Sequence, residues 1–195
     1  MHESPPTPDT LAVKDAWKPL PSKYWRREEA AHFLRRIGFS ATPEAVEKVL
    51  RGSIQKTIDE FFTVKTHFEK PAALAEFEEE APQRYQAIYR DTKDRQEKRR
   101  LMNDLRRENN ELFHDFAMQW FRYAREPENS AREKFVLFLQ DVFVVEQQII
   151  KETPLLFNMQ QALRKAMSLS YPELCKQVSR EPAMVRYLNF NENTA

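Results

Sequence analysis

The chain has 195 residues, of which 41% are hydrophobic, 12% aromatic and 31% charged, and its 31 Lys and Arg nearly cancel its 30 Asp and Glu. A chain of this size buries roughly 70% of its unfolded surface and needs no staple, and the lone Cys175 excludes a disulfide-rich scaffold and every multi-cysteine zinc site. Two glycines, Gly38 and Gly52, cannot build a Rossmann fingerprint or a phosphate loop, and near-zero net charge removes whole-surface attraction to nucleic acid or anionic lipid.

Met1 to Ser22 hold Pro5, Pro6, Pro8, Pro19 and Pro21 among polar residues. This composition predicts a disordered, proline-rich arm over residues 1–22 that can dock through Trp17, and it lacks the basic start and apolar run of a secretory leader. Residues 23–195 are expected to form one helical domain. From Arg26 to Ile37, Ala30, Phe33, Leu34 and Ile37 follow helical spacing, with Gly38 placed for a left-handed C-terminal cap. Thr42 and Pro43 are an N-cap and first-turn proline, and Val46, Val49 and Leu50 form the buried stripe of a second helix ending at Gly52. Ser53 caps a third, with Ile54, Ile58, Phe61 and Phe62 on one face.

After a loop around Pro71 the chain turns acidic at Glu76, Glu78, Glu79 and Glu80, then basic from Arg90 to Arg107. Without a large apolar residue between Arg90 and Arg100, a helix there is expected to project into solvent. Pairs such as Asp91 with Arg95 and Asp94 with Lys98 would support it, each by about 0.2–0.5 kcal/mol. The acidic segment can fold back on this helix. Further on, Leu112, Phe116 and Trp120 step by four, and Phe113, Ala117 and Phe121 widen the same core face. Ser130 with Glu133 reads as a capping box opening the most buried helix, through Phe135 to Val145 and on to Ile150. Thr153 and Pro154 open another through Phe157, Gln161 and Met167; Ser170, Pro172 and Glu173 open a short one; Pro182 starts the last before Leu188. No hairpin signal appears, and the longest apolar run, Phe135 to Leu139, is far short of the roughly 20 residues of a membrane crossing. The expected fold is all-α, an irregular multi-helix bundle with one long, partly solvent-projecting charged helix.

Side chains with chemical potential are scattered. His32 lacks the second and third ligands of a metal site. His114 and Asp115, being helix neighbours, point about 100° apart and form no relay by themselves. Cys175 reads as a buried, inert thiol, and nothing fixes the separation of Asp141 from Glu146. Lys93, Arg95, Lys98, Arg99, Arg100, Arg106 and Arg107 could line phosphates, but Asp91, Asp94, Glu97 and Asp104 interrupt them and no stacking aromatic lies between 90 and 107. A solvated helix face is favoured over nucleic-acid binding there. Catalytic residues stay unassigned, and no cofactor or metal site is expected.

Tyr24 to Phe39, with Arg26, Ala30, Ala31, His32, Leu34, Arg35, Arg36, Gly38 and Phe39, resembles the opening motif of the bacterial family known as domain of unknown function 1800. Ala41, Thr42, Pro43, Glu44 and Val46 resemble its Ala-Thr-Pro step, and Glu181, Pro182, Ala183, Met184, Tyr187 and Leu188 its Asp-Pro-Ala-Met turn. The likeness spans Tyr24 to Asn189 and implies the N-terminal portion of a domain usually more than twice this length. Where members carry Phe-Trp-His-Asn-His-Phe, this chain has Phe138, Leu139, Gln140, Asp141, Val142 and Phe143, which leaves neither ligand nor general base. Asn191, Glu192 and Asn193 match a later family tripeptide but follow Leu188 too closely, and the match is read as coincidental. The resemblance implies no catalytic residue. It does imply relatives that are often exported and a protein partner resembling the alkaline-phosphatase and sulfatase superfamily. A scaffold or protein-interaction module is therefore expected; the alternatives are a hydrolase-type enzyme with its active groups in a later part, and nucleic-acid binding through residues 90–107.

Overall fold

The computed structural model describes residues 12–15, 18–63 and 67–192. Every regular element among them is helical, as expected: α1 (Arg27–Ile37), α2 (Pro43–Leu50), α3 (Ile54–Thr63), α4 (Ala72–Asp91), α5 (Arg95–Ala124), α6 (Pro127–Val142), α7 (Gln147–Ile150), α8 (Thr153–Ala166), α9 (Tyr171–Val178) and α10 (Pro182–Tyr187), with 3-10 turns at Val13–Asp15, Ser22–Tyr24 and Phe190–Glu192. Trp17 and the first eleven residues of the proline-rich arm lie outside the described residues. The chain divides into two compact units, residues 1–65 with 127–134, and residues 66–126 with 135–195.

In the first unit α1 and α2 bury Ala30, Leu34, Val46 and Val49 against Trp25, Leu50 and Phe61. Thr42 caps α2 by accepting from the Ala45 N–H at 3.2 Å, with Pro43 in the first turn, where its missing N–H has no role. Ser53 accepts likewise from the Lys56 N–H. Gly38 does not adopt the left-handed cap. It is extended, at φ −123° and ψ −170°. The start of α6 closes the end of α1 instead: Ser130 Oγ accepts from the Phe39 N–H at 2.9 Å, and Lys134 Nζ donates to the Arg35 and Gly38 carbonyls, each at 2.7 Å. A cation on the last carbonyls of a helix is favourable for the same reason as a cap. Gly38 is required by closeness, since a Cβ there would lie 2.5 Å from Ser130 Oγ.

Ser130 and Glu133 are consequently not a capping box. α6 begins earlier, with Glu126 as N-cap and Pro127 in the first turn, and both Ser130 and Glu133 are buried within it. The true use of that sequence pattern is at α9, where the Glu173 carboxylate accepts from the Ser170 N–H at 3.0 Å and from its hydroxyl at 2.7 Å.

In the second unit α4 and α5 pack through Phe77, Ala81, Ile88 and Leu105, with Leu101 and Met102 at the margin. The beginning of α5 is thus held by apolar contact on one side while Arg95, Arg99 and Arg100 face solvent. The expected Asp91–Arg95 and Asp94–Lys98 pairs do not form, because the chain turns there: Asp91 accepts from Arg90, and Asp94 caps α5 by accepting from the N–H groups of Gln96 and Glu97. The acidic segment folds back, but the ion pair joining the two helices runs the opposite way, Arg84 of α4 forking onto Glu108 of α5 at 2.9 and 2.6 Å. A second core gathers Phe68, Leu74, Phe116, Trp120, Ala124 and Phe157, and a third Leu139, Met159, Leu163, Leu174, Val178 and Met184. Phe121, expected on the core face of α5, is exposed.

Candidate functional site

The apolar run from Phe135 to Val145 departs furthest from its expected role. Its residues are not a buried helix continuing to Ile150: α6 stops at Val142, Phe143 leaves helical geometry at ψ 70°, and α7 is a separate single turn. Only Val136 and Leu139 are fully buried, whereas Phe135, Leu137, Phe138 and Val142 are 42–56% exposed. At 100° per residue, Phe135, Phe138 and Val142 form one stripe and Leu137 with Asp141 a flanking one. The Phe135 and Phe138 rings stack with centroids 5.8 Å apart. The outer face of α6 from Phe135 to Val142 is therefore a two-stripe apolar surface with one exposed carboxylate, Asp141, while Glu128 is exposed nearer the start of the helix.

The opposite face of the same helix borders a cavity of about 190 Å³, lined by Gln140, Phe143, Gln147, Phe113, Phe116 and Met159, with Val145 and Leu156 completing it. Gln147 Nε2 donates to Asn110 Oδ1 at 3.1 Å. The Gln140 carboxamide has no hydrogen-bond partner among the described residues.

What holds the walls is a polar clamp that periodicity did not reveal. Asn109, 3% exposed, donates from Nδ2 to the Lys151 carbonyl at 2.7 Å and accepts from the Thr153 N–H at 2.9 Å, while Thr153 Oγ1 donates to the Asn109 carbonyl at 2.9 Å. Lys151 takes a left-handed conformation, φ 59°, to present that carbonyl. Further along α8, Lys70 lies 5.0 Å over the Phe157 ring and pairs with Glu78, which also accepts from Asn158 Nδ2 at 2.9 Å. Partial burial opposes ionisation of Glu78, but the hydrogen bonds from Lys70 and Asn158 outweigh it and hold the carboxyl below its ordinary range.

The sequence candidates are not brought together. His32, His114 and Asp115 are exposed, and His114 touches only the edge of Phe113 among rings, at 5.9 Å. Asp141 and Glu146 are both exposed, and Glu146 accepts from the Tyr187 hydroxyl at 3.2 Å. Cys175 is half-buried beside Tyr171 rather than fully buried. On α5, Arg100 pairs with Glu97 and Asp104, Arg107 pairs with Asp104, and Lys98 donates to the Tyr89 carbonyl. Much of the basic character of residues 90–107 is thereby answered locally. Among the described residues no group of three or more His, Cys, Asp or Glu is placed to hold a metal ion, and no helix is long and apolar enough to cross a membrane.

Neither a curated protein nor a solved structure matches the chain. A family model does, over residues 32–195, a span that takes in α2 to α10, the outer face of α6 and the cavity behind it. The chain belongs to that family, described as Protein of unknown function (DUF1800).

Proposed function

We propose that the chain is a non-catalytic protein-interaction module and that it docks a protein partner on the outer face of α6. The observation that supports this reading is the exposure of Phe135, Leu137, Phe138 and Val142 on successive turns of one helix. Contiguous exposed apolar surface is characteristic of interaction sites, because water is released when a partner covers it. The partner is a protein of the alkaline-phosphatase and sulfatase superfamily, the neighbour that the sequence resemblance implies.

The experiment pairs the purified chain with such a protein encoded beside it and follows association by isothermal calorimetry. Binding is expected, with a negative heat-capacity change, weakened at least tenfold in Phe138→Glu and unchanged in Arg99→Ala. No association, or equal binding by Phe138→Glu, removes the proposal. Turnover of phosphate, sulfate or ester substrates by the purified chain alone would replace it with an enzymatic reading.

A further inference from the structure

The cavity behind α6 has features of a built binding site for something much smaller than a protein. Two other depressions are larger, about 490 and 400 Å³, but they do not enclose. The first is lined by Tyr85, Gln86, Tyr89 and Arg90, all from successive turns of α4, so it has no opposing wall. The second is lined half by charged or imidazole side chains. The cavity of about 190 Å³ is more recessed: α5, α6, α7 and α8 all contribute side chains to its wall, with Phe143 and Val145 of the intervening segment.

Its chemistry is selective. Phe113 and Phe116 meet edge to face, ring centroids 6.5 Å apart, and with Phe143 and Met159 they offer aromatic and thioether surface. None of the eight lining side chains ionises. A charged guest would therefore lose its hydration without a compensating counter-charge. Two carboxamides line the cavity: Gln147 is oriented by the hydrogen bond that it donates to Asn110, whereas both the donor and the acceptor ends of Gln140 lack a partner among the described residues. A carboxamide can both donate and accept, so it suits a guest with one N–H or one hydroxyl. Size sets the upper limit. A dry apolar cavity of about 150 Å³ admits benzene, and drug-sized ligands ask for roughly 300 Å³ or more.

We propose that this cavity binds a small, neutral aromatic molecule of one or two fused rings carrying a single hydrogen-bonding group, with the rings against Phe113, Phe116 and Phe143 and the polar group on Gln140. The site lies on the opposite side of α6 from the protein-docking face, and its occupancy does not depend on that face.

Indole and benzoate serve as probes, added to the full chain labelled with ¹³C at the methionine methyls. Indole is expected to shift the Met159 methyl saturably, with half-saturation near or below about 1 mM, and benzoate to bind at least about tenfold more weakly. Leu156→Trp, which fills the cavity, is expected to abolish the shift. Gln140→Leu is expected to weaken indole by about three- to tenfold while leaving toluene unchanged; this variant carries the test if Leu156→Trp does not fold. The absence of a saturable Met159 shift up to about 5 mM indole, equal affinity for benzoate, or indifference of indole binding to both variants would each overturn the assignment. None of these results bears on whether Phe138→Glu loses the protein partner.

Discussion

Gly38 and Asn109 show how much a single residue decides. A methyl group at position 38 would meet Ser130 Oγ at 2.5 Å and the Leu34 carbonyl at 3.2 Å, so Gly38→Ala is expected to cost about 1–3 kcal/mol in urea unfolding. Removing the hydroxyl leaves the Ser130 Cβ at 3.4 Å, an ordinary contact. The Gly38→Ala/Ser130→Ala double variant should therefore be more stable than the sum of the single changes implies, and strict additivity would show that the contact is not the cause. Asn109→Ala strands the buried Thr153 N–H and removes the donor to Lys151, at an expected cost of about 2–4 kcal/mol. A loss below about 1 kcal/mol would mean that water replaces the amide. Sequence marked Gly38 as special but misread the reason, because a left-handed cap and a close approach both call for a missing side chain. Asn109 gave no signal, since an asparagine amid charged residues looks solvated until the α7–α8 segment is folded onto it.

At the scale of elements, the amphipathic parts of α5 were legible and its flanks were not. Trp120, 7% exposed, packs with Phe116 and Phe157, so Trp120→Ala is expected to cost about 3–5 kcal/mol, whereas Arg99→Ala on the outer face should stay within about 0.5 kcal/mol. α4 is tied to α8 by polar contacts of Glu78, and that tie is pH-dependent. The folded-state pKa of Glu78 lies below its unfolded value, so its contribution is present above the unfolded pKa of about 4.3 and is lost as pH falls through the lowered one. Glu78→Gln should flatten the decline of stability between about pH 5 and pH 3 relative to the parent chain; parallel profiles would show that the pairing contributes nothing. Glu181 behaves in the opposite sense. Burial raises its carboxyl pKa, with Lys165 opposing, so whatever it contributes is present below its unfolded pKa and fades as pH rises through the folded one.

For the molecule as a whole, composition and periodicity determined the class of fold. The 3.6-residue recurrence in α1 to α3, the proline-led starts of α2, α8, α9 and α10, and the lack of hairpin turns are local properties, and helices form from local contacts. The helical expectation over residues 135–150 held in type but not in burial or continuity. Hydrophobicity states what a side chain gains from being covered; it does not state whether a neighbour is available to cover it. That depends on which elements reach this stretch: Val136, Leu139 and Ile150 are covered, while Phe135, Leu137, Phe138 and Val142 are not. The cavity at Gln140 was invisible for the same reason, since its walls come from residues 113 to 159, brought together by the Asn109 clamp. By itself the sequence determined the helices and the caps at Thr42, Ser53 and Ser170. The tertiary structure alone decided that one face of α6 is left open and the other borders a recess, because surface and volume are properties of packed elements and not of any one of them.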